Sequence, residues 1–325
     1  MKRRQVLGQF AVATLAAAGM SVRAQSFPHK PLKIIVPYAA GGSSDTVARI
    51  IAQQLGIVLG QPVVVDNLPG SSGIAGVENV RHAPADGHTL LMADAGHWAI
   101  NRVTKVKLPH NFQQDLEPVS VASTSALFLT VHNSFPASNL RELVDAVKAR
   151  PGTYTYGSSG VGSVHHLTME VFKHALGLDI LHVPFKGTGQ SVPALAGGQV
   201  HMAVAAYNSI AGFAKEGRLK IIAGNTREPM DILKQFPPMG AAGIKDFHFP
   251  GENALFVVAG TPKPVINQLA AAVVKVLALP ETITKLHTAG VEPPRQPGPE
   301  ALAETIRRDI PRYELAVRTA GIQPE

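Results

Sequence analysis

The stretch "VPYAAGGSSDTVARIIAQQLG", Val36–Gly56, largely decides how the chain is interpreted. It passes from an apolar, strand-like segment through a loop of small residues into a helix with Val47, Ile51 and Leu55 on one face. In an open α/β sheet, such strand-to-helix loops gather where ligands bind. Glycine lets the main chain approach a ligand, and the amides of the first helical turn favour an anion. The stretch predicts an α/β fold with a backbone anion site, although a plain turn would have the same composition.

A second stretch repeats this pattern. "YGSSGVGSVHHLTMEVFKHALG", Tyr156–Gly177, again contains a strand end, a loop of Gly and Ser, an amphipathic helix and a closing Leu-Gly. Short apolar runs alternate with helical patterns through most of the chain, which predicts parallel sheets with crossover helices. Val119–Val131 is predicted to form one or two strands that lead away from the first unit. The chain is therefore expected to contain two similar α/β halves.

Two features near the C-terminus predict helix boundaries. Thr261 is a predicted N-cap, with Pro262 in the first turn of the helix that follows. The helical pattern over Glu300–Ala320 contains Pro311, where we expect the helix to bend or break.

Length and composition limit the possible classes of protein. The chain has 325 residues, more than one hydrophobic core usually serves, and 45% of them are apolar and 16% charged. The absence of cysteine excludes disulfides, thiolate metal sites and a cysteine nucleophile. Of the formal charge of +7, four positive charges lie in residues 1–24, which leaves +3 for the rest. Because these charges are scattered, no nucleic-acid partner and no polybasic membrane patch are expected.

The N-terminus has the pattern of an export signal. Lys2, Arg3 and Arg4 precede the apolar run Val6–Met20, and small residues lead up to Ala24. We predict a signal peptide over residues 1–24, cleaved near Ala24. The arginine pair leaves open whether the route is the general secretory or the twin-arginine pathway.

Motifs of catalysis and cofactor binding are missing. The sequence contains no phosphate-binding G-x-x-x-x-G-K-[ST] and no nucleophile elbow G-x-S-x-G, and His165 stands where a dinucleotide fingerprint needs its third glycine. His166 and Glu170 have a spacing that could ligate zinc, but a solvated helix pair is the commoner use of it. We therefore expect no enzyme activity, no cofactor and no metal. Lys186, in "HVPFKG", could pair with a carboxylate or lie on the surface.

Several longer motifs resemble a known family. They are "PLKIIVPYAAGGSSDTVARIIAQQL", "LGQPVVVDNLPGSSGIAGVENVRHAPADGHTLLMAD", "DLEPVSVAS", "YGSSGVGSVHHLTMEVF", "HVPFKG", "ALAGGQVHMAV" and "VAGTPKPVINQLAAAV". In this order they resemble the Bug-type (TctC-like) receptors, the extracytoplasmic solute-binding proteins of tripartite tricarboxylate transporters. The resemblance extends from about Pro31 to Tyr313.

The resemblance implies an α/β, two-domain periplasmic-binding-protein fold of the type II-like kind. In this fold the domains close on a ligand like a Venus flytrap, and the chain crosses between them twice. Domain 1 would comprise residues 27–126 plus 248–325, and domain 2 residues 127–247.

The resemblance also implies the site. In relatives, two loops from opposite domains hold a carboxylate through main-chain amides, hydroxyls and ordered waters. The positions that match are Tyr38, Ala40, Gly41, Gly42, Ser43 and Ser44 on the first loop, Ser158, Gly160, Gly162, Ser163, Val164 and His165 on the second, and Tyr207 and Asn208 after a later strand. Tyr38 would pack against the body of the ligand.

The function implied is capture of a small organic acid, a di- or tricarboxylate, in the periplasm. The partners would be the membrane permease subunits of a tripartite tricarboxylate transporter, and the receptor role favours a monomer. A receptor that presents its ligand to a signalling sensor is an alternative, and so is a neutral ligand such as an aromatic amide. A different class of protein, an exported α/β hydrolase, would use Ser43, Ser158 or Ser163 with His165 or His166.

The chain departs from the family pattern at three places. His201 stands where the family commonly has Asp, and the stretch Arg227–Gly243 lacks the usual Thr and Glu. A Trp frequent before the Ala254 strand is missing, and Trp98 is the only tryptophan. These departures weaken any transfer of ligand identity or hinge behaviour, but they lie mostly outside the two loops.

Overall fold

A computed structural model describes residues 27–225, 236–244 and 247–324. The predicted export signal and the first part of the stretch Arg227–Gly243, which departs from the family pattern, lie outside these residues. Among the helices described, none combines the length and the apolar character needed to cross a bilayer.

The strands belong to two five-stranded sheets. In chain order they are β1 (Leu32–Val36), β2 (Val63–Asn67), β3 (Thr89–Ala93), β4 (Leu116–Ser125), β5 (Leu127–His132), β6 (Thr155–Ser158), β7 (Leu181–Pro184), β8 (Met202–Ala206), β9 (Leu219–Asn225) and β10 (Gly251–Val258). The first sheet has the order β2-β1-β3-β10-β4 and the second β7-β6-β8-β5-β9. We call the part of the molecule built on the first sheet lobe 1 and the part built on the second lobe 2.

The helices cover the sheets and connect their strands. They are α1 (Ser43–Leu59), α2 (Ile74–Arg81), α3 (Asn101–Thr104), α4 (Phe112–Asp115), α5 (Leu140–Ala149), α6 (Val164–Leu176), α7 (Thr188–Ala196), α8 (Tyr207–Lys215), α9 (Lys263–Leu277), α10 (Pro280–Thr288) and α11 (Pro299–Thr319), with a π-helical turn at Gly96–Ile100 and short 3₁₀ turns at Ser71–Gly73 and Met239–Ala242.

The two sheets have the same topology. In each, three parallel strands are followed by one strand that runs antiparallel to both of its neighbours, β10 in the first sheet and β5 in the second. The predicted parallel strands with crossover helices form part of each sheet, but the sheets are mixed, because β5 and β10 each enter their sheet directly from a crossing between lobes. No crossover helix precedes them to impose a parallel direction.

The chain crosses between lobes twice. At the first crossing only Ala126 separates β4 from β5, so the predicted strand region Val119–Val131 is two strands in different sheets. The second crossing runs from the end of β9 to the start of β10. There the buried Asn225 side chain donates to the carbonyl of Phe249 (2.7 Å) and accepts from its amide (2.9 Å). The first crossing is thus a single residue, and Asn225 and Phe249 bond to each other near the two ends of the second.

Two local predictions near the C-terminus differ from the structure. Thr261 does not cap α9: its hydroxyl donates to the carbonyl of Val258 (2.8 Å), and the helix begins at Lys263. The last helix, α11, continues across Pro311 without a break. It packs on β4 and the π-helical turn in lobe 1 and on α6 in lobe 2, and these contacts hold a helix that proline alone would weaken.

Apolar burial explains why these segments fold. Val47, Ile51 and Leu55 of α1 are fully buried against the first sheet. Trp98 is also fully buried and contacts Phe256 of β10, with ring centroids 5.9 Å apart. The tryptophan therefore belongs to the core.

Candidate functional site

Both predicted loops connect a strand to a helix at the lobe interface. We call residues 37–44 the first loop and residues 158–165 the second loop. The first leads from β1 to α1, and Gly41 has a φ of 79° that favours glycine. The second leads from β6 to α6, where Ser163 is the N-cap and accepts from the His166 amide (3.2 Å). Within the described residues, the amides of Gly42 and Ser44, and those of Val164 and His165, donate to no protein acceptor.

The first loop touches lobe 2 directly. The Ala39 amide donates to the carbonyl of Lys186 (2.9 Å), and the Ser43 amide lies 3.4 Å from the Thr188 hydroxyl. A Cβ on Gly189 would overlap the Ala40 carbonyl oxygen, so the lobes approach here only because residue 189 is glycine. The residues around Gly189 were not predicted as part of the site. Their signal in the sequence is the pair Gly187 and Gly189, shortly after the β7 strand.

The second loop touches lobe 1 in the same way. A Cβ on Gly160 would lie 2.9 Å from the Ser72 hydroxyl, and one on Gly162 would lie 2.6 Å from the Thr104 hydroxyl. Gly96 stands between the two loops, because a Cβ there would be 3.3 Å from the Gly162 carbonyl and 3.4 Å from the Tyr38 hydroxyl. The structure thus brings the two predicted loops to one place between the lobes.

A buried carboxylate supports the first loop. Asp94, directly after β3, accepts from the Tyr38 hydroxyl (2.9 Å) and from the Gly96 amide (2.9 Å), and its Oδ1 lies 2.9 Å from His97 Nδ1. Burial alone would raise the pKa of Asp94, but the charge and hydrogen bond of His97 and the hydrogen bond of Tyr38 hold it below its ordinary value. Burial, followed by the charge of Asp94, raises the pKa of Tyr38 well above its ordinary value. The Tyr38 hydroxyl is therefore committed to Asp94, and its ring packs edge-on against His97, with ring centroids 5.3 Å apart.

Sequence reasoning missed Asp94. Its signal is its position at the carboxyl end of a predicted strand, at the same sheet edge as the first loop.

Histidines support the second loop. His165 Nδ1 lies 2.6 Å from the Ser159 hydroxyl, and His182 Nε2 lies 2.7 Å from the Ser158 hydroxyl. Burial lowers the pKa of His165 to about 4. Burial, with the charges of His166 and Lys173, lowers the pKa of His182 to about 3. These two rings are therefore neutral at neutral pH, and they position the loop without adding charge to it.

The neutral state of His165 predicts a pH dependence of stability. The unfolded chain binds a proton at this position below its ordinary pKa of 6.5, whereas the folded chain does so only below about 4. Stability is therefore lost as the pH falls through this window, by about 2 kcal/mol between pH 7 and pH 5. Denaturant unfolding of His165→Gln should show that much less loss than the wild type. The exposed His287→Gln serves as the control, and equal losses in all three proteins would contradict the prediction.

Some polar atoms at the interface have no partner. The Ser43 hydroxyl, the Ser209 hydroxyl and both amide atoms of Asn208 are buried without a hydrogen bond among the described residues. Asn208 is the second residue of α8, which directly follows Ala206, and Ala206 pairs with Leu127 at the first crossing. The neighbouring Tyr207 packs against Gly290 of lobe 1, where a Cβ on Gly290 would overlap the Tyr207 ring. The helix α8 itself was not predicted.

Other predicted site residues already have protein partners. The Gly41 amide donates to Asp45 (2.9 Å), and the Ser44 hydroxyl donates to the Asn253 side chain (2.6 Å). The Ser158 hydroxyl bonds the Gly160 backbone as well as His182. These hydrogen bonds stabilise the conformation of the two loops.

Among the described residues, the contacts of the candidate side chains do not support a metal site or a hydrolase site. Glu170 accepts from the Tyr156 hydroxyl and from Lys173 (2.6 Å), while the His166 ring stacks on His182 with centroids 4.4 Å apart. Across the described residues, no group of three or more His, Asp or Glu is placed to hold a metal ion. Of the serines considered for a hydrolase, Ser158 contacts a histidine, but that histidine is His182 rather than His165 or His166, while the Ser163 hydroxyl accepts from the His166 backbone amide.

His201, the departure from the family pattern, has a structural role. Its Nδ1 accepts from the Thr155 amide (3.1 Å) and lies 2.9 Å from the Thr155 hydroxyl. His201 therefore holds the start of β6, at the end of lobe 2 opposite the loops.

A family model and several known proteins match this chain over most of its length. The model of the TctC family, described as "Tripartite tricarboxylate transporter family receptor", matches residues 47–316. A UPF0065 protein of Bordetella pertussis is 31% identical over 325 residues, which cover 100% of both chains. Protein BugT of the same organism is 29% identical over 310 residues, which cover 94% of this chain and 95% of BugT.

Solved structures match across nearly the whole described chain. One described as a periplasmic transporter has a TM-score of 0.88 at 34% identity, covering 92% of this chain and 99% of its own. R. palustris Rpa4515 with adipate has a TM-score of 0.89 at 29% identity, covering 92% and 100%. MatC (Rpa3494) of Rhodopseudomonas palustris with bound malate has a TM-score of 0.85 at 30% identity, covering 90% and 100%.

These matches confirm the two-domain α/β periplasmic-binding-protein fold, with its two mixed five-stranded sheets. They also place the chain among solute-binding proteins rather than enzymes. The chain belongs to the TctC family, the receptors of tripartite tricarboxylate transporters.

Proposed function

We propose that this protein is a periplasmic receptor that closes on a small carboxylate, a di- or tricarboxylate or a related organic acid. It would deliver this ligand to the membrane permease subunits of a tripartite tricarboxylate transporter. The observation that carries the proposal is the set of unpartnered polar groups where the lobes meet: the amides that begin α1 and α6, the Ser43 hydroxyl and the Asn208 amide. The adipate and malate of two structural relatives support the class of ligand.

The physical argument starts from the helix ends. Both α1 and α6 begin at the interface, and each N-terminus carries a partial positive charge with amides that point outward. A carboxylate accepts several hydrogen bonds at once, and those bonds are stronger than bonds between neutral groups. The first and second loops contain no lysine or arginine, so backbone amides and hydroxyls provide the recognition. Each lobe supplies half of the donors.

This division of donors explains closure. A ligand that binds donors from both lobes has a higher affinity for the closed state, and so it shifts the equilibrium toward that state. We infer that the moving bodies are residues 27–126 plus 248–325 and residues 127–247. The hinge would lie at Ala126 and at the Asn225–Phe249 clamp. The ligand residues would be those assigned above to the first loop, the second loop and the start of α8.

Removal of the unpartnered groups should affect ligand-free stability and ligand affinity in opposite directions. Removing a buried polar atom that lacks a partner removes its desolvation cost, so Ser43→Ala and Asn208→Ala should leave ligand-free stability unchanged or raise it by up to about 1 kcal/mol. The same variants should bind the ligand about tenfold more weakly, because each loses one hydrogen bond to it. Thermal unfolding with and without a panel of succinate, malate, adipate and citrate measures both effects.

Ser138→Ala is the matched control, because Ser138 is exposed and only its amide has a protein partner, Glu142. It should change neither quantity. If Ser43→Ala and Asn208→Ala destabilise the ligand-free protein and leave the ligand-induced shift intact, the two side chains serve the fold rather than the ligand.

A further inference from the structure

Thr188, the first residue of α7, places its hydroxyl on the first loop of the opposite lobe. The hydroxyl oxygen lies 3.4 Å from the Ser43 amide. A Cβ on Gly42 would come within 2.7 Å of the same oxygen, so the hydroxyl lies directly against the residue that precedes α1. Thr188 is only 6% exposed. A buried side chain of lobe 2 therefore reaches the half of the proposed carboxylate site that lobe 1 provides.

Backbone contacts on both sides of Thr188 fix the position of its hydroxyl. Before it, the Lys186 carbonyl accepts from the Ala39 amide (2.9 Å). After it, Gly189 approaches the first loop so closely that a Cβ there would overlap the Ala40 carbonyl oxygen. This approach is possible because glycine has no side chain. The side chain of Thr188 is thus held against the start of α1.

The Thr188 hydroxyl supplies an acceptor that α1 lacks. The residue before α1 is Gly42, which has no side chain to accept from the free amides of the first turn. The Thr188 oxygen accepts from the Ser43 amide, the first amide of that turn, across the lobe interface. No side-chain hydrogen bond caps α7, the helix to which Thr188 itself belongs. The hydroxyl therefore acts between the lobes.

The proton of this hydroxyl has no acceptor among the described residues. A threonine hydroxyl can donate one hydrogen bond as well as accept. At Thr188 the accepting side is used, by the Ser43 amide, and no acceptor lies within bonding geometry of the proton. The Ser43 hydroxyl of the same turn is also buried without a partner. Because a buried donor without an acceptor is costly, a ligand that brings an acceptor here would be favoured.

The second loop offers a comparison. There lobe 1 presents the Thr104 hydroxyl to Gly162, where a Cβ would lie 2.6 Å from the hydroxyl oxygen. That hydroxyl donates to the Ile100 carbonyl (3.1 Å), so its proton is already bound within lobe 1. Each loop therefore meets a threonine of the opposite lobe. Of these two threonines, Thr188 is the one whose proton is available to a ligand.

We propose that Thr188 is a ligand-binding residue, which donates its hydroxyl proton to the carboxylate oxygen held at the N-terminus of α1. The proposal rests on the proposed function and adds a residue of α7 to the same site. The neighbouring amides of Gly42 and Ser44 are free to bind the same carboxylate, which is a strong acceptor. One carboxylate would then join a donor of lobe 2 to donors of lobe 1, which stabilises the closed state.

Three variants separate the hydroxyl from the shape of the side chain. Thr188→Val keeps the shape and removes the hydroxyl, whereas Thr188→Ser keeps the hydroxyl and removes the methyl group. Thr153→Val, at an exposed position of lobe 2, is the control. Calorimetry measures the affinity of each protein for succinate, malate, adipate and citrate. Thermal unfolding without ligand, expected to be unchanged in all three variants, excludes loss of the fold.

We expect Thr188→Val to bind every acid that the wild type binds about ten- to a hundredfold more weakly, because the lost hydrogen bond is made to a charged group. The factor should be similar for all these acids, since the bond is made to the carboxylate that they share. Thr188→Ser should stay within about threefold of the wild-type affinity. Thr153→Val should bind as the wild type.

Infrared spectra of the bound acid distinguish a direct hydrogen bond from an effect on closure alone. With ¹³C in the carboxylates of the acid, their stretching bands report the hydrogen bonds made to those groups. At saturating acid, one carboxylate band should shift between the wild type and Thr188→Val. The same band should keep its wild-type position in Thr188→Ser.

Three results would overturn the inference: wild-type affinity in Thr188→Val, an equal loss of affinity in Thr188→Ser, or a loss in Thr188→Val without a shifted carboxylate band. In each case the wild type still binds a carboxylate, so the proposed function survives. If no acid of the panel binds to the wild type, the proposed function fails and the inference fails with it.

Discussion

Gly189→Ala will weaken ligand binding by about ten- to a hundredfold while both lobes stay folded. The added methyl would overlap the carbonyl oxygen of Ala40 in the closed arrangement, and that oxygen belongs to the backbone and cannot rotate away. Gly189 lies in the first turn of α7, so alanine suits its local conformation and the clash arises only between lobes. The population of the closed state falls, and the apparent affinity falls by the same factor.

Titration with an acid that the wild type binds measures this effect. Gly212→Ala is the control, because Gly212 lies in the exposed part of α8 with open space around it. It should bind as the wild type and unfold at an equal or higher temperature, since alanine favours a helix by about 1 kcal/mol over glycine. Wild-type affinity in Gly189→Ala would mean that the ligand does not require the contact between the first loop and Gly189.

Asp94→Ala is expected to lower the free energy of unfolding by about 3 kcal/mol. Three groups lose their acceptor at once: the Tyr38 hydroxyl, the Gly96 amide and the His97 ring. Because the pKa of Asp94 is depressed in the folded protein, its contribution is fully present above its unfolded pKa and is lost as the pH falls through the lower, folded value. The contribution of the Asp94 carboxylate's own titration should therefore be the same at pH 7 and at pH 5.

Urea unfolding at these two pH values provides the measurement. Asp145→Ala, on the exposed face of α5, is the matched control and should change stability by less than about 0.5 kcal/mol. Equal stability of Asp94→Ala and the wild type would show that Asp94 does not hold the first loop.

Local sequence patterns predicted the two strand–loop–helix units well. The helix predicted within Val36–Gly56 runs over Ser43–Leu59, and the one predicted within Tyr156–Gly177 runs over Val164–Leu176. Apolar periodicity and small-residue loops are local signals, and the same signals placed both loops at the carboxyl ends of strands. The loop residues of the candidate site follow from these signals and from the family resemblance.

Features that depend on distant contacts were not predictable in this way. The antiparallel direction of β5 and β10 depends on where the chain crosses between lobes, and the hydroxyl of Thr261 takes a carbonyl partner instead of capping a helix. Gly189, Ser72 and Asp94 belong to the site because other segments meet them there. Sequence showed these residues only as a glycine, a serine and an acid after predicted strands or within loops.

The central claim is that the chain binds a carboxylate through backbone amides and hydroxyls contributed by both lobes. Calorimetric titration of the ligand-stripped protein with a panel of carboxylates, each paired with its neutral amide, tests it most directly. The account predicts saturable binding of one equivalent of at least one di- or tricarboxylate, and no binding of its amide. Binding of the amide as tightly as the acid, or no heat from any carboxylate, would contradict it.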